Sequence, residues 1–488
     1  MSFSASEPEG LDELQRTPTH LEGLDHVLSG GLPTRRTTLV CGGPGCGKTM
    51  LAMEVVARGA AHGEPGAFFS FEQTSRELQT DFRSLDLDLE GLVHRDLLRI
   101  HHVDLGDRPA AETGGYSLDG LLVQMDQVIE AVGAKRVALD TLEVLFARLE
   151  DSRTLRSEIR RLFRWLQDRE VTALVTAEAG AETLTRHGLE EYVSDCVVRL
   201  DHRIHDEVST RRARVLKYRG TRHSTNEHPF LISRKGIALI PVDSRPLEHP
   251  APAERISTGI EGLDRMFGGE GYFRGSSILV SGRAGTGKSS IGAAYVDAAC
   301  RRGERALYVS FEESRSQIVR NMQSVGVDLE PWIEEGLLTI QARRPSQLGL
   351  EEHLREVEDV LDDVSPEAVV VDPVTNLINV GTPATTLAML TRLVDSMKAR
   401  RTTALYTSLE SGEGPPSVMR VGVSSVMDTW VQLVNLLRRP AESRGIYVVK
   451  ARGMAHAHAV HEFRLSDAGV EVADPLDTAV GDPREGPP

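Results

Sequence analysis

The stretch Gly42-Gly43-Pro44-Gly45-Cys46-Gly47-Lys48-Thr49 decides how the rest of the chain is read. It follows the apolar run Thr38–Cys41, whose pattern predicts a buried strand, and runs into Met50–Ala57, whose pattern predicts a helix. Strand, glycine-rich turn and helix N-terminus form the setting of a phosphate-binding loop. Glycines let the backbone wrap closely round phosphate oxygens, so its N–H groups and the helix dipole face the anion. In such a loop Lys48 reaches the β- and γ-phosphates of ATP, and the Thr49 hydroxyl is a ligand of Mg2+.

A second loop, Gly282-Arg283-Ala284-Gly285-Thr286-Gly287-Lys288-Ser289, gives Lys288 and Ser289 the same roles. The repetition extends well beyond the loops. Thr19-His-Leu-Glu-Gly-Leu-Asp25 returns as Thr258-Gly-Ile-Glu-Gly-Leu-Asp264. Lys48 and Lys288 are 240 positions apart, and so are Glu72 (in Phe68-Phe-Ser-Phe-Glu72) and Glu312 (in Tyr308-Val-Ser-Phe-Glu312). Val137-Ala-Leu-Asp140 matches Val369-Val-Val-Asp372 at a separation of 232. Lys217-Tyr-Arg219-Gly-Thr221-Arg-His223 matches Lys450-Ala-Arg452-Gly-Met-Ala-His456 at 233. A period of that size is a duplicated domain, not a solenoid. The expected layout is a disordered leader (1–14), a first nucleotide-binding domain (15–241), a Pro-rich linker (242–254), a second domain (255–474) and a short disordered tail (475–488).

Within each copy apolar strands alternate with amphipathic helices, which predicts an α/β fold with a mainly parallel twisted sheet covered on both faces. Consecutive strand-like runs near the end of the first copy, Ala213–Tyr218 and Phe230–Ser233, predict an antiparallel extension. Composition narrows the function classes. The 488 residues carry 40% hydrophobic and 26% charged side chains, ordinary for a soluble globular protein. A net charge of −16 and the lack of an evident basic, aromatic strip disfavour nucleic acid as a partner. Cys41, Cys46, Cys196 and Cys300 have no metal or disulfide spacing and read as reduced thiols; Cys46, inside the loop, is the one where oxidation would reach the site. With no signal peptide and no run long enough to span a bilayer, the expected location is the cytoplasm and no membrane partner is expected.

Asp140 and Asp372 each end a run of branched apolar residues, where a carboxylate beside a phosphate loop suits a hydrated Mg2+. Glu72 and Glu312 also end strands, and a carboxylate there can orient and deprotonate the attacking water or hydroxyl. Glu313 follows Glu312, whereas Gln73 follows Glu72. Lys217, Arg219 and His223 recur as Lys450, Arg452 and His456; the Lys and Arg, two apart on a strand, project from one face and read as basic groups that act on the γ-phosphate of a neighbouring subunit. That reading predicts a ring.

These tandem GLD…GG…GxxxxGK[ST] modules, SFE strands, strand-end aspartates and KxRGxxH segments resemble the KaiC family of the RecA superfamily, over roughly Thr17 to Val472. The resemblance implies two tandem RecA-like P-loop NTPase domains in a two-tiered homohexamer, with ATP at subunit interfaces. It implies hydrolysis in the N-terminal tier and autophosphorylation in the C-terminal tier. The family's phosphoacceptor pair falls on Ser424-Ser425, just before Asp428, with Glu312 as the base. The matching segment of the first copy, Tyr192-Val-Ser194-Asp195, lacks a hydroxyl pair, which fits water as the acceptor there. Gln73, Met454 and Pro373 depart from the family pattern. The tail after Val472 is shorter than the extension through which clock members bind an activating partner, so regulation by that partner is not expected. Gly114–Asp119 resembles the region near the family's other partner site, which points to a KaiB-like partner. Two alternatives remain: an ATP-driven assembly switch without kinase output, and a RecA-like DNA-handling ATPase.

Overall fold

A computed structural model describes residues 14–104, 118–146, 152–180, 184–185, 194–205, 208–242, 252–345, 348–410, 418–437 and 442–476. The chain divides into two compact units, Met1–Ser244 and Arg245–Pro488. Most of the segments read as leader, linker and tail, and most of Gly114–Asp119, lie outside the described residues.

In the first unit the apolar runs become strands of one nine-stranded sheet. Its order is Gly236–Leu239, His228–Ser233, Val208–Tyr218, Cys196–His205, Thr37–Gly42, Thr172–Glu178, Arg136–Asp140, Gly66–Ser70 and Leu98–His102. From Cys196–His205 onward the pairs are parallel, and the strands before it pair antiparallel. The second unit repeats this order with Gly469–Pro475, His461–Ser466, Glu442–Ala451, Thr429–Leu437, Ser277–Gly282, Thr403–Leu409, Ala368–Asp372, Ala306–Ser310 and Leu338–Ala342. These are two mostly parallel α/β sheets in tandem, each with the antiparallel extension.

Parallel strands are covered on both faces, so they read as unbroken apolar runs. Every residue of Thr37–Gly42 and of Arg136–Asp140 is buried. Alternation along the strands feeds two layers. Phe68 and Ala138 pack with Leu51, Val55 and Val56 of helix Lys48–Ala61. Phe69 and Leu139 pack on the other face with Met125 of helix Asp119–Val132 and with Ile159 and Leu162 of helix Ser152–Asp168. Each large apolar side chain buried this way contributes roughly 1.5–3 kcal/mol. The repeated Asp25 and Asp264 are structural: Asp25 accepts from the Thr19 N–H at 2.7 Å and Asp264 from the Thr258 N–H at 2.8 Å.

The two cores differ at one matched pair. In the first unit Arg136, only 1% exposed, donates to Val55 O at 3.0 Å, Pro18 O at 2.7 Å and Glu64 Oε2 at 2.6 Å. Gly59 makes room for it, since a Cβ there would lie 2.3 Å from Arg136 Nε. In the second unit Ala299 and Ala368 stand at these positions, both buried. No described helix is long and apolar enough to cross a membrane.

Candidate functional site

Each phosphate loop leaves the C-terminal end of a central strand and turns into a helix at Lys48 or Lys288. Gly47 and Gly287 make that turn at φ 100° and 101°, in the left-handed region. Phe463 packs so close to Gly287 that a Cβ would lie 2.7 Å from its ring. Lys48 Nζ donates to Gly42 O at 2.9 Å and Gly43 O at 3.0 Å, and Lys288 Nζ donates to Gly282 O at 3.0 Å and Arg283 O at 2.8 Å. Burial pushes the Lys288 ammonium below its ordinary pKa, against Asp372, Glu312 and Glu410. Cys46 is fully buried inside the loop and burial raises its thiol pKa, which disfavours the reactive thiolate. Thr286 occupies the matching place and donates to Arg283 O at 2.8 Å.

The sheet register brings the strand-end acids together. Ser70 pairs with Asp140 and Ser310 with Asp372, so Glu72 and Glu312, two residues past each serine, face the same edge. Thr49 Oγ1 donates to Asp140 Oδ1 at 3.2 Å, and Thr176 Oγ1 donates to the same oxygen at 2.7 Å. Burial pushes the Asp140 carboxyl up; Glu72 adds to this, while the two hydroxyls and Lys48 oppose it. Among the described residues no group of three or more His, Cys, Asp or Glu side chains is gathered for a metal. One hydroxyl and one carboxylate beside a phosphate loop suit instead a hydrated divalent cation held through nucleotide phosphates. A cavity of about 440 Å3 opens here, lined by Gly45, Lys48, Thr49, Gln73, Asp81 and Ile232 among others.

The basic segments differ from expectation in one respect. Strands Val208–Tyr218 and Glu442–Ala451 end before Arg219 and Arg452, which sit in the turns made by Gly220 and Gly453. Lys217 and Lys450 are therefore strand residues and the arginines are not; the two do not share a strand face. Both arginines are held alike. The Arg219 N–H donates to Asp195 O and the Arg452 N–H to Asp428 O, each at 2.9 Å. Their guanidinium groups lie 3.7 Å from the Asp195 carboxylate and 3.9 Å from that of Asp428. His223 stacks at a tilt on Tyr218 with ring centroids 6.4 Å apart, whereas His456 faces His458. Thr221 accepts from Arg16 at 2.6 Å. Met454 packs against the second core.

Ser424 and Ser425 lie near the end of helix Val418–Val426. Lys450 Nζ donates to Ser424 O at 2.5 Å and Arg452 to Ser425 O at 2.8 Å. Below them Asp428 accepts from Ser277 N–H at 3.0 Å, Ser277 Oγ at 2.9 Å and Lys398 Nζ at 3.1 Å. Ser277 begins the strand whose other end, Gly282, starts the loop. Six strand residues span roughly 17 Å, so the serine helix and the KxRG segment sit at the opposite end of the sheet from their own loop. The first unit repeats this, with Asp195 N–H on Thr37 O and the loop leaving at Gly42.

The match to the family model for the KaiC ATPase is double, over residues 17–244 and 256–477. The chain belongs to the KaiC family. It is 46% identical over 464 residues to the circadian clock protein KaiC2 of Synechocystis sp., covering 94% of this chain and 82% of the relative. It is 34% identical to KaiC3 of Synechocystis sp. (97% of this chain, 94% of the relative). It is also 34% identical to the circadian clock oscillator protein KaiC of Synechococcus elongatus (93% and 88%). KaiC-family ATPase domains bind nucleotide, which fits the two loops of this KaiC-family chain.

Several residues escaped the reading of the sequence. Asn321, Tyr308, Thr176 and Thr407 meet the expected acids, and Asp81 meets Gln73, only through the fold. The basic strip also escaped it. Arg153, Arg156, Arg160, Arg161 and Arg164 line a groove of about 720 Å3 with Trp165, and i, i+3, i+4 spacing in Ser152–Asp168 was its signal.

Proposed function

We propose that this KaiC-family protein binds MgATP in both units, hydrolyses it in the first, and in the second transfers the γ-phosphoryl group to Ser424 or Ser425. It works as a homohexameric signalling or timing switch, with a KaiB-like protein as partner. Lys48 and Lys288 take the β- and γ-phosphates, with Thr49 and Asp140, or Ser289 and Asp372, as the Mg2+ side. Glu72 orients and deprotonates water; Glu312, with Glu313 beside it, does so for a serine hydroxyl. Mg2+ would neutralise charge building on the transferred group.

The observation that carries the reading is the placement of the acceptor serines. Roughly 17 Å of sheet separates Ser424-Ser425 from their own loop, too far for in-line transfer, so the phosphoryl donor is a loop on another copy. Arg219 and Arg452 lie at that same far end, where they would meet a neighbour's γ-phosphate together with Lys217, Lys450, His223 and His456. Intact-mass and phosphosite mapping after incubation with MgATP tests it: phosphate on Ser424 or Ser425 in wild type, none in Glu312→Gln. Neither serine modified in wild type would leave an ATP-driven assembly switch without kinase output.

The arginine groove keeps one second reading alive, a DNA-handling ATPase. Binding of single-stranded DNA that weakens steeply with salt and stimulates hydrolysis would favour it; no binding at low salt removes it.

A further inference from the structure

The two sites hold the residue after the strand-end glutamate in the same way but with the charge exchanged. In the second unit Asn321 Nδ2 donates to Glu313 Oε1 at 2.8 Å. In the first, Gln73 Nε2 donates to Asp81 Oδ2 at 2.9 Å. Both pairs span eight residues, across a helix start fixed by a capping box at Thr74 or Ser314. Each pair thus contains one amide, one carboxylate and one hydrogen bond, with the amide nitrogen donating. Gln73 and Asp81 both line the cavity shared with Lys48 and Thr49.

We infer that Asp81 is a positioning residue for hydrolysis in the first site, acting through Gln73. In the second site Glu313 carries the negative charge itself and keeps one oxygen clear of Asn321. In the first site the charge lies one bond further out. Asp81 takes the Gln73 N–H, fixes which end of the amide faces the cavity, and polarises it so that Gln73 Oε1 becomes a stronger acceptor. An acceptor oxygen is therefore presented beside the strand-end glutamate in both sites. The chemical step is ordinary: the water oxygen forms a bond to the γ-phosphorus, the bond to the β–γ bridging oxygen breaks, and ADP leaves with the electron pair. The water proton passes to Glu72, while Gln73 holds the water in line. This rests on the hydrolytic reading of the first site given above.

The test uses the full chain with Lys288→Ala, so that turnover reports the first site alone. Asp81→Asn is expected to lower kcat about tenfold or more, the worth of a charge-assisted hydrogen bond, with KM for ATP little changed. Asp81→Asn with Gln73→Glu installs the second-site arrangement and is expected to restore kcat to within about threefold. An unchanged kcat in Asp81→Asn overturns the inference, and so does a double variant no better than the single one. A raised KM with kcat intact also overturns it, since that would make Asp81 a binding residue. No turnover at all in the Lys288→Ala parent would instead sink the hydrolytic reading, and the inference with it.

Discussion

The Tyr308 hydroxyl donates to Asp372 Oδ2 at 2.6 Å, and Phe68, which has no hydroxyl, stands at the matching strand position of the first unit. Thr407 donates to the other Asp372 oxygen, so both are engaged. In the first unit Thr49 and Thr176 share Asp140 Oδ1, and no described residue donates to Oδ2. One strand-end aspartate thus offers an uncommitted oxygen to a hydrated cation and the other does not. Tyr308→Phe should lower the Mg2+ concentration needed for nucleotide binding at the second site by about tenfold, the worth of one hydrogen bond to a carboxylate. A fluorescent ATP analogue titrated against Mg2+ in a Lys48→Ala chain reads this directly. An unmoved Mg2+ midpoint would show that Tyr308 only fills space.

On the proposed kinase reading, the opposite-end placement of Ser424-Ser425 calls for transfer between copies. Chains carrying Glu312→Gln but intact serines, mixed with chains carrying Ser424→Ala/Ser425→Ala but intact Glu312, test the direction. If the serines are served by a base on the neighbour that holds the nucleotide, phosphate appears on the Glu312→Gln chains. Label absent from the mixture, but present in wild type, would place base and acceptor in one chain.

Asp428 ties the serine helix to the sheet and has a pH signature. Burial works against its charged form, but the Ser277 N–H and hydroxyl and the Lys398 ammonium hold its carboxyl below the ordinary value of 3.8. A depressed carboxyl pKa contributes stability that is fully present above the unfolded value and is lost as pH falls through the folded value. Asp428→Asn should therefore cost about 1–3 kcal/mol at neutral pH and progressively less below about pH 4. Urea unfolding followed by tryptophan fluorescence would show this, since Trp430 lies two residues on and donates to Ser281 Oγ at 2.8 Å. A penalty that stays constant down to pH 3 would show that the Asp428 charge does not hold the serine helix to the sheet.

Arg136 and Gly59 should behave as a coupled pair. Arg136→Ala strips partners from Val55 O, Pro18 O and Glu64, and is expected to cost about 3–5 kcal/mol. Gly59→Ala alone drives a methyl into the guanidinium. Together the two changes copy the second unit, and the double variant should be more stable than the sum of the single losses. Additive penalties in a double-mutant cycle would contradict this.

The sequence shows the fold well where physics is local. Buried parallel strands leave apolar runs, loops leave glycines, and duplication prints each feature twice at fixed spacing. The site is legible only up to residues that sit on those elements: Lys48, Thr49, Glu72, Asp140 and their copies. Arg219 and Arg452 are misplaced by the reading because a strand ends one or two residues early at a left-handed glycine, which alternation cannot register. Asp81 is invisible because its meaning depends on a helix folding it back onto Gln73. Tyr308 reads as one more buried aromatic until the neighbouring strand places Asp372 at its hydroxyl.

The buried guanidinium of the first core also bears on how the two halves can have diverged. Ala299 copied by recombination into position 59 without Ala368 at position 136 would press a methyl to 2.3 Å from Arg136 Nε and force that side chain to shift. The two positions are 77 codons apart in the first half. A short conversion tract carrying only the codon for Ala299 would therefore leave the first core strained.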